Sequence, residues 1–242
     1  MDEQSPNPIA DLLTQTQRYF SFQKEVYGNE MIVTQPDIVK RFADSFQVSS
    51  LEEFYQSIKT CQKCALSQSR THFVFGAGNP NANLMLIGEA PGREEDLKGK
   101  PFVGQAGQLL DKILKAIDFN RKEIFIANIL KCRPPQNRDP LPEEITICFS
   151  YLQKQIELIR PRIILILGRI AAHTLLRTEA SLTSLRDKTH SFQNIPALVT
   201  YHPAALLRNP QWKKFVWEDV QKLRKMYDEI VKDKPKWQPP KR

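Results

Sequence analysis

The stretch that decides the fold is residues 84–92, LMLIGEAPG. Four large apolar residues, Leu84 to Ile87, form a run too short for a helix, and the glycines and proline that follow mark a turn. This is the pattern of a buried strand that ends in a loop. Three later runs have the same form, at 124–129, 163–167 and 197–201.

Amphipathic segments that suit helices separate these four runs. They lie near 109–117, 142–159 and 170–176, and a closing segment follows at 212–231. Strands that alternate with crossover helices predict a parallel sheet covered by helices on both faces. Ligands bind such a sheet at the carboxyl ends of its strands, so we expect the functional residues just after each strand.

The chain divides into three predicted parts. Residues 1–57 form a helical N-terminal extension, with a capping box at Ser50 and Glu53. Residues 58–231 form the α/β domain, and residues 232–242 form a basic, proline-rich tail that is expected to fray. The extension carries no chemistry of its own, so we expect it to pack on the domain or on a replication or repair partner.

Basic charge is concentrated in the larger part of the chain. The formal net charge of the 242 residues is +8, but residues 1–60 sum to −4 and residues 61–242 to +12. A domain this basic commonly binds a polyanion, with nucleic acid the leading candidate and solubility the plainer reason. No apolar run approaches the roughly 18 residues that span a bilayer, and the first ten residues contain no signal core. We therefore expect a cytoplasmic protein that binds no membrane.

The four cysteines are candidate metal ligands: Cys61 and Cys64 form a C-x2-C pair, and Cys132 and Cys148 follow. In a reducing compartment four thiols favour a metal site over disulfides. Zinc and a [4Fe-4S] cluster both use four thiolates. A structural zinc usually takes two tight knuckles, whereas the second pair here spans a proline-rich loop and a helix, which favours iron and sulfur. Four unrelated buried thiols are the alternative.

Glycine marks the first candidate site. Seven of the nine glycines fall within residues 76–107, where chance placement would put about one. The loop after the first strand has neither the G-x4-G-K-[ST] sequence of a P-loop nor the G-x-G-x-x-G sequence of a dinucleotide site. The four carboxylates between Glu89 and Asp96 would also repel a triphosphate.

Three side chains offer the chemistry of base recognition. Phe102 lies between glycines, where its ring either joins the core or stacks on a planar base. Asn128 ends the second strand, and its amide either forms a turn or pairs with the edge of a base. His202 follows the last strand and is either a structural histidine or a catalytic group.

The motifs, taken in order, resemble those of the family 4 uracil-DNA glycosylases, which are iron-sulfur enzymes. The resemblance covers about residues 58–230. It rests on C-x2-C at 61–64, GEAPG at 88–92, GKPFVGQAG at 99–107, ANILKCRPP at 127–135, Cys148, ILGRIAA at 166–172 and HPAALLRNP at 202–210. It implies a three-layer α/β/α sandwich with a central four-stranded parallel sheet and a [4Fe-4S] cluster on the four cysteines. We expect the protein to be a monomer. The implied reaction is hydrolysis of the N-glycosidic bond of deoxyuridine in single- or double-stranded DNA.

The resemblance also implies roles for individual residues in the uracil pocket. A base in duplex DNA must be flipped out before its glycosidic bond can be reached. The backbone of Gly88 and Glu89 would then contact the base, Phe102 would stack on it and Asn128 would read its edge. His202 would donate a hydrogen bond to the departing uracil, where negative charge develops.

Outside the pocket, Leu206 or Leu207 would fill the gap left by the flipped nucleotide, and Arg208 would contact phosphate. The attacking water has no assigned partner. Related glycosylases of another family place an Asp where this chain has Ala90. Glu89 is the nearest carboxylate, and it either activates water, contacts the base or packs.

Two other functions remain open at this point. A related protein traps uracil-DNA covalently through a histidine before the final strand, where this chain has His190, although the basic run typical of that loop is absent. A non-catalytic iron-sulfur accessory protein that binds DNA would also explain the basic charge and the cysteines. It would not require Phe102, Asn128 and His202 together.

Overall fold

In the computed structural model, residues 48–239 are described. A six-stranded sheet has the order β1-β3-β2-β4-β6-β5. Its strands are β1 (Ala77–Gly78), β2 (Leu84–Gly88), β3 (Phe125–Asn128), β4 (Ile163–Leu167), β5 (His190–Phe192) and β6 (Ile195–Thr200). The helices are α1 (Leu51–Ile58), α2 (Leu66–Ser69), α3 (Arg93–Lys98), α4 (Gln105–Ala116), α5 (Pro142–Ile159), α6 (Arg169–Leu176), α7 (Leu182–Arg186), α8 (Pro203–Arg208) and α9 (Lys213–Ile230).

The four predicted strands form the parallel centre of the sheet, β3-β2-β4-β6. Every residue of β2, β3 and β4 is buried, which explains why these strands are continuous apolar runs rather than alternating ones. The sequence analysis did not foresee the two edge strands. Short antiparallel strands β1 and β5 extend the sheet at its two ends.

Helices cover the sheet. Leu110 and Leu114 of α4 and Val220 and Leu223 of α9 pack with sheet residues such as Leu86 in one apolar core. Successive side chains of a strand point to opposite faces, so Met85 and Ile87 lie on the other face, where they are also completely buried. The predicted α/β fold with helices around a parallel centre is confirmed. No helix in the described residues is both long and apolar enough to cross a membrane.

The boundary predicted at residues 57 and 58 is wrong, because it falls inside α1. Phe54 of that helix is completely buried, and its ring lies 5.8 Å from the Phe75 ring and 6.2 Å from the Tyr151 ring. Helix α1 therefore belongs to the same compact unit as the rest of the α/β domain. The Ser50 hydroxyl accepts from Glu53 N–H as predicted, but the Glu53 carboxylate accepts from Ser49 rather than Ser50. The predicted helices before residue 48 lie outside the described residues.

The C-terminal tail packs on the domain as far as residue 239 rather than fraying. The Trp237 ring lies 5.9 Å from the Trp217 ring, and Arg224 donates to the Pro235 carbonyl at 2.8 Å. Lys234 forms an ion pair with Glu123 at 2.7 Å. The ring contact of Trp237 and the ion pair of Lys234 therefore hold the tail on the domain, although its high Lys and Pro content predicted fraying.

Candidate active site

A pocket of about 350 Å³ lies at the carboxyl ends of the central strands. The glycine-rich loops after β2, the loop after β3 and the start of α8 supply its walls. The residues that line it are Glu89, Ala90, Pro91, Gly92, Glu95, Phe102, Ala106, Asn128, Pro134, Asn137, Arg138, Asp139, His202, Ala204, Ala205 and Arg208. The structure thus brings together Glu89, Phe102, Asn128, His202 and Arg208, which the sequence analysis selected separately.

Asn128 lies on the inner wall of this pocket, with 2% of its surface exposed. Its Oδ1 atom has no hydrogen-bond partner among the described residues. A buried acceptor without a partner costs about 1–3 kcal/mol, so such atoms in native proteins call for an explanation. An oxygen of this kind on a pocket wall can be satisfied by a donor on a ligand.

Gly88 is the partner of Asn128 in the parallel pairing of β2 with β3. A Cβ atom on Gly88 would lie 2.5 Å from Asn128 Oδ1 and 2.9 Å from Phe102 Cζ. Only glycine therefore leaves the amide and the aromatic ring in their present positions.

Phe102 has a backbone φ of 52°, a left-handed conformation that is uncommon for an aromatic residue. Gly107 permits this close turn, because a Cβ there would lie 1.8 Å from the Phe102 carbonyl oxygen. Arg121 donates to the carbonyl groups of Pro101 and Phe102. The ring is 5% exposed and belongs to the core, yet it also lines the pocket. Both roles considered for Phe102 are therefore compatible with its position.

The His202 ring packs beside the Phe102 ring, with centroids 5.3 Å apart and planes inclined at 33°. Its Nδ1 accepts a hydrogen bond from Ala204 N–H at 3.2 Å, which leaves Nε2 to carry the proton of the neutral ring. Burial, helped by the positive charge of Arg208, lowers the pKa of His202 to about 4. His202 is therefore a neutral donor near pH 7.

Gly168, a residue that the sequence analysis did not single out, places His202. Its φ is 94°, and a Cβ would lie 2.9 Å from the Cβ of His202. Glu95 was also missed. Its Oε1 accepts from the N–H groups of Val103 and Gly104 at 2.8 and 2.9 Å, which holds the loop that carries Phe102.

Glu89 lines the pocket, and the pKa of its carboxyl group is well above the usual value. Burial, and then the negative charge of Asp139, raise the pKa of Glu89 to about 7, whereas Arg169 opposes the shift. Arg169 and Asp139 form an ion pair at 2.8 Å. Neither residue was predicted from the sequence, because Asp139 and Arg169 follow β3 and β4 at distances along the chain that no motif links to Glu89.

Leu206 and Leu207, the two leucines predicted to contact DNA, differ in their exposure to solvent. Leu206 is 1% exposed and belongs to the core, so its proposed role as a wedge is wrong. Leu207 is 45% exposed and precedes Arg208, which is exposed and lines the pocket. Adjacent residues on a helix point in different directions, so Leu207 can face solvent while Leu206 packs in the core.

The four cysteines are free thiols. Among residues 48–239, no three His, Cys, Asp or Glu side chains are arranged to hold a metal ion. Burial is the main cause that raises the pKa of Cys132 and of Cys148. Smaller contributions come from Cys64 and Cys61 for Cys132, and from Cys132 and Cys64 for Cys148, so the thiols lie within electrostatic reach of one another.

Three of the sulfur atoms accept hydrogen bonds. Arg70 donates to Cys132 Sγ at 3.1 Å, Tyr151 to Cys61 Sγ at 3.1 Å and the Lys131 backbone N–H to Cys148 Sγ at 3.3 Å. Burial raises the pKa of the Cys148 thiol to about 12. Donors aimed at sulfur suit thiolates, and a buried thiolate needs a cation to form.

Lys131 connects the cysteines to the pocket. It is completely buried, and its Nζ donates to the Asn128 carbonyl at 2.8 Å and to Gln155 Oε1 at 2.6 Å. Burial lowers the pKa of Lys131 to about 8, although nearby Cys148 and Cys132 oppose the shift. The buried Lys131 amine thus holds the end of strand β3, which carries Asn128.

His190 does not belong to the pocket. It lies in edge strand β5, and its Nε2 lies 2.7 Å from the Leu185 carbonyl oxygen. A covalent trap through this residue is therefore not supported.

The fold and this pocket define a class of protein. The family model of the uracil-DNA glycosylase superfamily matches residues 75–224. The chain belongs to this superfamily, and within it to the type-4 family. It is 41% identical to a type-4 uracil-DNA glycosylase of Archaeoglobus fulgidus over 184 residues, which cover 73% of this chain and 92% of the relative. It is 43% identical to a type-4 enzyme of Sulfurisphaera tokodaii over 188 residues, 74% of this chain and 86% of the relative.

Proposed function

We propose that the protein removes uracil from DNA by hydrolysing the bond between C1′ of the deoxyribose and N1 of the base. The observation that carries this proposal is the buried, unpaired Oδ1 of Asn128, in a pocket that the Phe102 ring and the neutral His202 also line. An aromatic face, an amide and a neutral donor together fit one flat, hydrogen-bonding base.

Asn128 selects uracil through the pattern of donors and acceptors on the base. Its Oδ1 accepts from N3–H of uracil, and its Nδ2 donates to O4. Cytosine has no proton at N3 and has an amino group in place of O4, so it would leave the buried oxygen unpaired. The cost of leaving Asn128 Oδ1 unpaired with cytosine is larger than the gain from pairing it with uracil, so this cost is the main source of discrimination between the two bases.

His202 acts on the leaving group. As the glycosidic bond breaks, its electron pair moves onto uracil, and a hydrogen bond from Nε2–H to the base oxygen stabilises the developing negative charge. A neutral imidazole is already protonated at Nε2 over the whole physiological pH range, because the pKa is lowered to about 4.

Glu89 acts on the water. With a pKa of about 7 it is half ionised near neutral pH, and as a carboxylate it accepts a proton from the water that attacks C1′. The backbones of Gly88 and Glu89 contact the base.

Leu207 fills the gap that the flipped nucleotide leaves in the duplex, and Arg208 contacts a phosphate beside that nucleotide.

Cys61, Cys64, Cys132 and Cys148 would hold a [4Fe-4S] cluster. Each thiolate of such a cluster binds a different iron, so the four sulfurs need not converge on a point that suits a single ion. Hydrolysis of a glycosidic bond transfers no electron, and the cluster when bound supplies a cross-link among three chain segments. This cross-link fixes both ends of the loop from Cys132 to Cys148, which includes the pocket residues Pro134 and Asp139.

Incubation with a uracil-containing oligonucleotide tests the function. Wild-type protein should convert the uridine to an alkali-labile abasic site in single-stranded and duplex DNA, and the same oligonucleotide with thymine should remain intact. Intact uracil-containing DNA after incubation with iron-loaded protein would refute the proposal. We place the enzyme in the cytoplasm as a monomer that binds a repair or replication partner through its N-terminal extension.

A further inference from the structure

Three large apolar side chains are markedly exposed in the part of the chain that the structure describes. They are Leu97, Leu141 and Leu207, with 49%, 41% and 45% of their surfaces exposed. Leu207 immediately precedes Arg208, and Leu141 lies two residues after Asp139, both of which line the pocket. All three leucines thus lie within two residues of a pocket residue, but Leu97 is in helix α3, where residues two apart point to different sides of the helix.

Leu141 occupies a position where a helix favours a different residue. It is the N-cap of the 18-residue helix α5, with φ −77° and ψ 150°. Ser, Thr, Asp and Asn are preferred at an N-cap because their side chains accept a hydrogen bond from the first turn. A leucine cannot accept one, and here it also exposes apolar surface. A local rule broken in this way often marks a functional residue.

The backbone at Leu141 is held rigidly. Its N–H donates to Glu144 Oε2 at 2.8 Å, and Glu144 accepts two further hydrogen bonds from Arg138 at 2.9 and 2.6 Å. Buried Pro140 precedes it and Pro142 follows it. The leucine is therefore presented in a fixed position, which lowers the entropy lost when it contacts a ligand.

Leu141 and Leu207 come from opposite edges of the central parallel sheet. The segment with Leu141 follows β3, and Leu207 follows β6, which are the outer two of the four central parallel strands. The side chains of Arg138 and Arg208 line the pocket, and Arg169 pairs with the pocket residue Asp139. Arg138 and Arg169 are paired with Glu144 and Asp139, so the exposed Arg208 is the pocket cation best placed to meet a phosphate, which points to DNA as the occupant of this surface.

We propose that Leu141 is a second DNA-contacting leucine, which packs against the base stack on the side of the flipped uridine away from Leu207. This inference rests on the proposed glycosylase function. Its effect belongs to duplex DNA, because an unstacked single strand has no paired bases to hold apart.

Single-turnover uracil release by Leu141→Thr tests the inference. Threonine removes the apolar contact and supplies the missing cap, so the variant should melt at or above the wild-type temperature. We expect about a tenfold slower release from duplex DNA, the effect of one lost leucine contact, and a change of less than about twofold on the single strand. A 2-aminopurine beside the uridine should report correspondingly less unstacking in the duplex.

Leu97→Thr is the matched control. Leu97 is two residues from the pocket residue Glu95 in helix α3, so the two side chains do not share a face, and release from duplex DNA should be unchanged. Wild-type rates with Leu141→Thr on duplex DNA, or equal losses on both substrates, would overturn the inference while leaving the glycosylase standing. A wild-type protein that releases no uracil from either substrate would overturn both.

Discussion

Gly88 and Asn128 lie side by side at the ends of two parallel strands, and the absence of a side chain on Gly88 leaves room for Asn128 Oδ1 at the pocket wall. The space is narrow, since a Cβ at Gly88 would approach that oxygen to 2.5 Å. The specificity of the site therefore depends on a residue that has no functional group.

Gly88→Ala should abolish most uracil excision without unfolding the domain. The new methyl group would displace the Asn128 amide and the Phe102 ring, so we expect at least about a hundredfold loss of kcat/KM with a small change in melting temperature. Gly104→Ala is the control, because a Cβ there lies at an ordinary 3.4 Å from Glu94. Equal activities of the two variants would show that the pocket does not bind the base between these groups.

Asn128→Ala should lose uracil excision, whereas Asn128→Asp should gain weak excision of cytosine. A carboxylate accepts from the N4 amino group of cytosine, which the amide cannot do in the orientation that binds uracil. Both activities are measured on oligonucleotides that differ only in the target base. Full uracil excision by Asn128→Ala would remove Asn128 from the recognition site.

His202→Ala should slow turnover about 10²- to 10³-fold and affect DNA binding little, because its hydrogen bond strengthens only as charge develops on the base. Single-turnover rates at saturating enzyme separate the two effects. Normal cleavage of bound DNA combined with lost binding would assign His202 to DNA contact instead.

Uracil excision should fall as the pH is lowered through about 7, because the Glu89 carboxylate must be ionised to accept a proton and its pKa is raised to that value. Glu89→Gln should be slower at high pH and should lack this decline. Asp139→Asn removes the negative neighbour that raises the pKa of Glu89, so the decline should move to lower pH. The same pH profile in all three proteins would rule out Glu89 as the titrating group.

Cys132→Ser should reduce both bound iron and the melting temperature, since metal-linked free energy contributes to folding. Asn128→Ala, which leaves the cysteines intact, should retain the iron of the wild type. Analysis of iron, sulfide and zinc after anaerobic purification checks both expectations. One zinc without iron would contradict the iron-sulfur assignment, and a metal-free protein with full activity would contradict the ligand assignment itself.

The central strands were predictable because they are buried on both faces and so consist of unbroken apolar runs. The edge strands β1 and β5 were not, since two or three half-exposed residues leave no such signal. Packing of the tail was missed because the partner of Trp237 is Trp217, a contact that only the folded chain creates.

The candidate site was predictable as a set of residue types after strands and in glycine-rich loops. Its state was not. The unpaired oxygen of Asn128, the left-handed backbone of Phe102 and the pKa of Glu89 all depend on groups distant in sequence. The exposure of Leu207 rather than Leu206 likewise depends on how α8 meets the core.

The most direct test of the account is a crystal structure of the protein with free uracil. The base should lie in the pocket against the Phe102 ring, with its N3–H donating to Asn128 Oδ1 and a carbonyl oxygen of the base accepting from His202 Nε2. Uracil bound elsewhere, or bound in this pocket with Asn128 Oδ1 still unpaired, would contradict the account.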